Sequence, residues 1–243
     1  MHKEYVRIVE NADVAILFIH GIVGTPNHFN RFIKLIDDSV SIYNVLLDGH
    51  GKGVKDFSKT SMTKWRKQIA ETVEKLANEH EKIYIVAHSL GCLLSIEQAV
   101  SCPKVEKMFL LAVPLKVFLK PKAVLTALRV YRDKISSDDA PMLAAKECCG
   151  VEHDKNILSY LGWIPRFVEL LCYIKEIRKS VKEISITCFA YQSRNDELVL
   201  KSAGKLLEEN ALICVKELKN SGHYYYEKED FTLLEKEFLN FIK

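Results

Sequence analysis

The 243-residue chain has no segment rich in proline, glycine or serine, no internal repeat and no block of one charge, which excludes long linkers, solenoid repeats and low-complexity tails. With 35 Lys+Arg against 32 Asp+Glu the net charge is only +3, too small to argue for nucleic acid as a partner. The 7 cysteines (Cys92, Cys102, Cys148, Cys149, Cys172, Cys188, Cys214) form no C-x-x-C pair, which excludes the usual zinc and dithiol motifs; set mostly in apolar stretches, they read as reduced thiols. No apolar run approaches the ~20 residues that span a bilayer, and Met1-His2-Lys3-Glu4-Tyr5 lacks the basic-then-apolar pattern of a signal peptide, so a cytoplasmic protein is expected.

What the chain does have is hydrophobic residues, 48% of the total, enough for a sizeable core. Residues 5–9 alternate, 10–13 carry turn chemistry, and 14–19 form a continuous apolar run, so a hairpin is expected to feed a strand buried on both faces. His20-Gly21-Ile22-Val23-Gly24 follows, then a helix capped by Thr25 with Phe29, Phe32, Ile33 and Ile36 on one face. Strands are expected at 42–47, 82–86, 105–113, 184–191 and 212–218, with helices at 63–79, 92–100, 201–209 and a last one lined by Phe231, Leu234, Phe238 and Phe241. This alternation predicts parallel strands joined by right-handed crossovers. It lapses over 115–183, where Val124, Ala127, Leu128 and Tyr131 share a helical face, as do Phe167, Leu170, Leu171, Ile174 and Ile177. The expected division is therefore a core of 1–114 with 184–243, and a helical insertion over 115–183.

Three expected strand ends carry reactive side chains in the order serine, carboxylate, histidine: Ser89 in Ala87-His88-Ser89-Leu90-Gly91, Asp196 in Asn195-Asp196-Glu197, and His223 in Ser221-Gly222-His223. Each has a plainer reading, as a small-residue turn, a helix cap and a polar turn residue respectively. Their joint order favours chemistry. A serine hydroxyl needs a base that works near neutral pH, and that base needs an acid to hold its tautomer. Glu197 competes with Asp196 for the last role. The oxyanion of acyl transfer needs N–H donors, which Leu90 at a helix start and Ile22 in the first-strand loop can supply.

Together with Asp48-Gly49-His50-Gly51 and Asn195-Asp196-Glu197-Leu198-Val199, these motifs resemble the α/β-hydrolase superfamily, and more narrowly its bacterial carboxylesterase and monoacylglycerol-lipase branch. The resemblance covers about 14–113 and 184–243. It implies an α/β fold with a mostly parallel central sheet flanked by helices and a helical cap inserted after the strand ending near Pro114. It further implies Ser89 as nucleophile, His223 as base, Asp196 as its orienter, and Ile22 and Leu90 as oxyanion donors. Ala87 departs from the usual first glycine. No metal or organic cofactor is implied, since His20, His50 and His88 lack ligand spacing. An aspartate nucleophile, as in haloalkane dehalogenases, is absent at 89.

The expected activity is hydrolysis of small or medium apolar esters. An acyl-thioesterase, a lysophospholipase and a non-catalytic binding protein of the same fold are the alternatives. Val23, Phe29, Leu115, Phe118, Trp163, Phe167 and Leu198, with Ile22, are the expected apolar pocket. The 115–183 segment holds 13 Lys/Arg against 9 Asp/Glu. Lys116, Lys120, Lys122 and Arg129 can attract an anionic substrate or a membrane surface, although a solvated outer face is the preferred reading.

Overall fold

The computed structural model describes residues 2–118 and 136–243. Among these, β1 (Tyr5–Arg7), β2 (Val14–Ile19), β3 (Ser41–Val45), β4 (Lys82–His88), β5 (Val105–Leu111), β6 (Thr187–Ser193) and β7 (Ile213–Leu218) form one sheet in the order β1-β3-β2-β4-β5-β6-β7. Every pair is parallel except β1 with β3. The helices are α1 (Asn30–Ile33), α2 (Val54–Lys59), α3 (Met62–Glu79), α4 (Leu90–Ser101), α5 (Ala140–Glu147), α6 (Ile164–Ser180), α7 (Ser202–Leu207) and α8 (Lys228–Phe241).

The continuous apolar run of β2 is explained by its two faces. Ala15, Leu17 and Ile19 join the layer that holds Trp65, Ile69 and Val73 of α3 and Leu93 of α4, while Ile16 and Phe18 join Phe29, Phe32, Phe109 and Phe238 on the other side. Both edges of β2 are also taken, by β3 and β4. The expected hairpin is therefore not formed: β1 has no edge of β2 to join and pairs antiparallel with β3, Tyr5 opposite Asn44. From β2 the chain moves outward to β3 and then back across to β4. That reversal sets the carboxyl ends of β2 and β4, with loops 20–24 and 88–91, at the place where open α/β sheets bind their ligands.

After Thr25, whose Oγ1 accepts the Asn27 N–H at 3.4 Å, the chain makes a short 3-10 turn at Pro26–Phe29 before the one-turn α1. Between β5 and β6 the described chain is helical, with α5, a 3-10 stretch at Ile157–Trp163, and α6. The face of α6 turned inward is Leu170, Tyr173, Ile174 and Ile177. This corrects the expected stripe, because Phe167 and Leu171 are 40% and 49% exposed. Tyr173 helps hold that rotation: its hydroxyl donates to Glu97 Oε2 at 2.7 Å, and Glu97 is paired with Arg66, which also meets Glu176. The face expected around Val124 and the basic residues Lys120, Lys122 and Arg129 lie outside the described residues.

The run Ile157–Glu183 is, among the described residues, long and apolar enough to cross a membrane by length and composition, with 17% of its most apolar window buried. It is not an uninterrupted apolar run, since Arg166 and Glu169 fall within it. Arg166 pairs with Glu169 and donates to the Ser58 carbonyl at 2.8 Å, which ties this helix to α2.

Candidate active site

Ser89 stands where β4 stops and α4 begins, at φ 52° and ψ −119°. A side chain in that region costs ~1–3 kcal/mol and persists only where the surroundings dictate it. Here the Ser89 N–H is held by the Leu111 carbonyl and its carbonyl by the Cys92 N–H, both at 2.9 Å. Small neighbours make the turn possible. A Cβ on Gly91 would lie 2.0 Å from the Ile19 carbonyl oxygen, so helix and strand approach as closely as backbone allows. Ala87, in the place where the family pattern has glycine, sits inside β4 with its methyl buried in the core.

The loop after β2 packs on this turn, since a Cβ on Gly21 would lie 2.9 Å from that of Ser89. It closes by a Gly24 N–H to Gly21 carbonyl bond of 2.9 Å, with Val23 at φ 57°. His20 supports it from within. Its Nε2 accepts the Leu47 N–H at 3.1 Å, which leaves Nδ1 as the donor to the Gly21 carbonyl at 2.9 Å. Burial, and then the neighbouring His50, push its pKa well below the usual value and keep it neutral. The Ile22 amide belongs to this loop. Leu90 is the first residue of α4, so its N–H has no partner inside the helix.

Asp196 and His223 meet at 2.8 Å, Oδ2 to Nδ1, with 2% of each side chain exposed. The other oxygen of Asp196 accepts the N–H groups of Leu198 and Val199 at 2.8 and 2.7 Å, so the turn-capping and histidine-facing roles coexist on one carboxylate. Burial alone raises the Asp196 pKa, but the His223 ring and the two N–H donors outweigh it and hold the carboxyl below its usual range. Glu197 does not compete for the ring; its Oε2 accepts the His223 backbone N–H at 3.0 Å.

Among the described residues Ser89 Oγ makes no hydrogen bond to His223, and the two are linked through His88. Its Nε2 donates to the His223 carbonyl at 2.9 Å, and the two rings are 4.7 Å apart. This role of His88 was missed in the sequence, where it is a bystander beside the serine.

The segment between β5 and β6 is hydrogen-bonded to the loops at the carboxyl end of the sheet. Residues 116–118 pair with 198–200 through Phe118 N–H to Leu198 O and Leu200 N–H to Lys116 O, each 2.9 Å, beside the Asp196 turn. Farther along, the Gly150 N–H reaches the Val23 carbonyl at 2.7 Å, and a Cβ on Gly150 would overlap the Gly24 carbonyl at 1.8 Å. Of the expected pocket residues, Val23 and Leu198 are half-buried in these loops and Phe118 is 59% exposed. Trp163 leans on Phe57 at 4.7 Å and donates to the Val54 carbonyl, and Phe167 is exposed on α6. Phe29 and Leu115 are not available as pocket lining. Both have no exposed surface, and Phe29 packs on Phe18 at 5.2 Å in the layer with Phe32 and Phe238, on the face of the sheet away from Trp65 and Leu93.

A profile of the alpha/beta hydrolase family matches residues 16–230, nearly the whole of this sheet and its loops. The chain belongs to the alpha/beta hydrolase family. Its fold is similar to that of a metagenome-derived lipolytic enzyme from work on LipS and LipT, with TM-score 0.75 and 17% identity over 99% of this chain and 97% of that one. It is also similar to a monoacylglycerol lipase from Paleococcus ferrophilus, with TM-score 0.70 and 16% identity over 99% of each. A carboxylesterase structure from Nitrososphaera gargenis aligns with TM-score 0.60 and 18% identity over 98% of this chain and 94% of that one. No curated protein matches the sequence. At these identities the solved structures establish a hydrolase fold, on which several chemistries can be built.

Proposed function

We propose that this family member hydrolyses carboxylic esters of small or medium acyl size through an acyl-enzyme on Ser89. The observation that carries the reading is the Ser89 backbone at φ 52° and ψ −119°, a conformation whose cost is rewarded when the hydroxyl must stand clear of both strand and helix. The likeness to lipolytic, monoacylglycerol-lipase and carboxylesterase structures supports ester hydrolysis in general, and a thioesterase domain with TM-score 0.61 keeps thioester cleavage as the alternative.

In this reading Ser89 Oγ attacks the ester carbonyl while its proton passes to His223 Nε2, and Asp196 holds Nδ1–H so that Nε2 is the basic nitrogen. The tetrahedral oxyanion is met by the Ile22 and Leu90 amides, each worth ~3 kcal/mol in the transition state, aided by the start of α4. Collapse breaks the C–O bond and the alcohol leaves with the proton from His223. Water, deprotonated by His223, then attacks the acyl carbonyl, and Ser89 leaves with that proton. We take 1–114 with 184–243 as the catalytic core and 115–183 as the cap that selects the substrate, with Val23, Phe118 and Leu198 nearest the acyl chain.

Labelling with a fluorophosphonate probe tests the reading. Wild type is expected to label and Ser89→Ala to lose the label; full labelling of the variant removes Ser89 from the mechanism, and an unlabelled wild type favours a non-catalytic binding protein. A panel of acetate, butyrate and octanoate esters beside a thioester and a lysophospholipid then sets the class. Acetate esters turning over as fast as the longer ones would rule out an apolar acyl pocket.

A further inference from the structure

We propose that Glu197 is a positioning residue for His223, and that Asp196, Glu197 and His88 together fix the base at three separate points. This rests on the Ser89–His223–Asp196 reading above. The ring Nδ1 is held by Asp196 at 2.8 Å, the backbone N–H by Glu197 at 3.0 Å, and the backbone carbonyl by His88 at 2.9 Å. An imidazole on a loop needs more than its ring bond, because that bond sets orientation and leaves the Cα free to drift. The residues just upstream are already tied: Asp230 accepts the Lys219 and Asn220 N–H groups at 3.2 and 2.8 Å and the Ser221 hydroxyl at 2.7 Å.

Glu197 carries that anchoring across Gly222 to the base itself. Asp196 and Glu197 are consecutive, so both bonds to His223 come from one short segment and shift together. His88 precedes Ser89, so the third bond ties the base to the nucleophile turn through the backbone, independent of substrate. Proton transfer from Oγ to Nε2 demands placement within about 0.5 Å, and a misplacement of 1 Å can cost ~100-fold in rate. Gly222 leaves room for the arrangement: a Cβ there would lie 3.1 Å from each Glu197 carboxylate oxygen.

The test is steady-state hydrolysis of p-nitrophenyl butyrate by the full chain. Glu197→Ala is expected to lower kcat about tenfold with KM unchanged. Glu197→Gln, which keeps an oxygen that accepts the N–H, should return kcat to near wild type, with the folded fraction of each variant measured by circular dichroism so that lost stability is not read as lost kcat. Gly222→Ala, which crowds the carboxylate, should lower kcat several-fold in wild type and add nothing to Glu197→Ala. An unchanged kcat in Glu197→Ala, or Glu197→Gln as slow as Glu197→Ala, overturns the proposal. If Glu197→Ala does not fold, Gly222→Ala alone decides, and an unchanged kcat there overturns it. Fluorophosphonate labelling of the same preparations separates the two claims, because an unlabelled wild type overturns the Ser89 reading, whereas normal labelling with an unaffected Glu197→Ala overturns only this one.

Discussion

Replacing Asp196 by asparagine removes one proton acceptor and little else. Oδ1 already caps Leu198 and Val199 at 2.8 and 2.7 Å, and the amide oxygen of asparagine can keep both bonds. The NH2 then replaces Oδ2 and faces His223 Nδ1 at 2.8 Å, donor against donor. With 2% of either side chain exposed, water cannot relieve the conflict, so the imidazole must move its proton to Nε2 and accept at Nδ1. A base protonated at Nε2 cannot take the Ser89 proton. The equivalent change in a serine protease triad costs ~10⁴ in kcat, and a loss of about 10³–10⁴ is expected here, with KM nearly unchanged. Steady-state kinetics on a chromogenic ester, with circular dichroism to confirm the fold, measures it. A variant within about tenfold of wild type would refute the assignment of Asp196 as the orienter.

Gly91→Ala places a Cβ 2.0 Å from the Ile19 carbonyl oxygen, so α4 must lift from β2; a destabilisation of ~1–3 kcal/mol or more is expected in urea denaturation, together with lost activity. Phe29→Ala should cost ~3–5 kcal/mol without changing acyl-chain preference, because the ring is core, whereas Phe118→Ala should shift that preference and leave the denaturation midpoint in place. The reverse pattern in an ester-chain panel would contradict the assignment of the two faces. Asp196 is held below its ordinary pKa of 3.8, so its contribution to stability is present above that value and is lost as pH falls through the lower folded value. Wild type should therefore lose more stability than Asp196→Asn as the pH is taken below 3.8 in acid titrations, and parallel curves for the two would contradict it.

The strands were legible because they are buried on both faces, as the run through Ile16, Leu17 and Phe18 shows, and because the chain alternates strand and helix on either side of the segment between β5 and β6. The positions of Ser89, Asp196 and His223 at strand ends followed from the same alternation. The partner of β1 was not legible, since local turn chemistry at 10–13 says nothing about which sheet edge is free, and β3 owns that edge. Nor was the inward face of α6, where Phe167 and Leu171 are as apolar as Leu170 and Ile174, and long-range ties such as Tyr173 to Glu97, Arg166 to Ser58 and Glu169 to the Met62 N–H hold the rotation. Asp196 and Glu197 are adjacent carboxylates, and their division between ring and backbone depends on the approach of another loop. Phe29 shows the limit of reading pocket walls from proximity in sequence, because nine residues after His20 its side chain already belongs to the far side of the sheet.

The central claim is a covalent acyl intermediate on one serine. Acid quenching during steady-state turnover of a medium-chain ester, followed by intact-mass measurement and peptide mapping, tests it most directly. The account predicts an acyl adduct on the peptide containing Ala87-His88-Ser89-Leu90-Gly91, located at Ser89, and its disappearance along with turnover in Ser89→Ala. Turnover that survives in Ser89→Ala, or an adduct mapped to another residue, would contradict it.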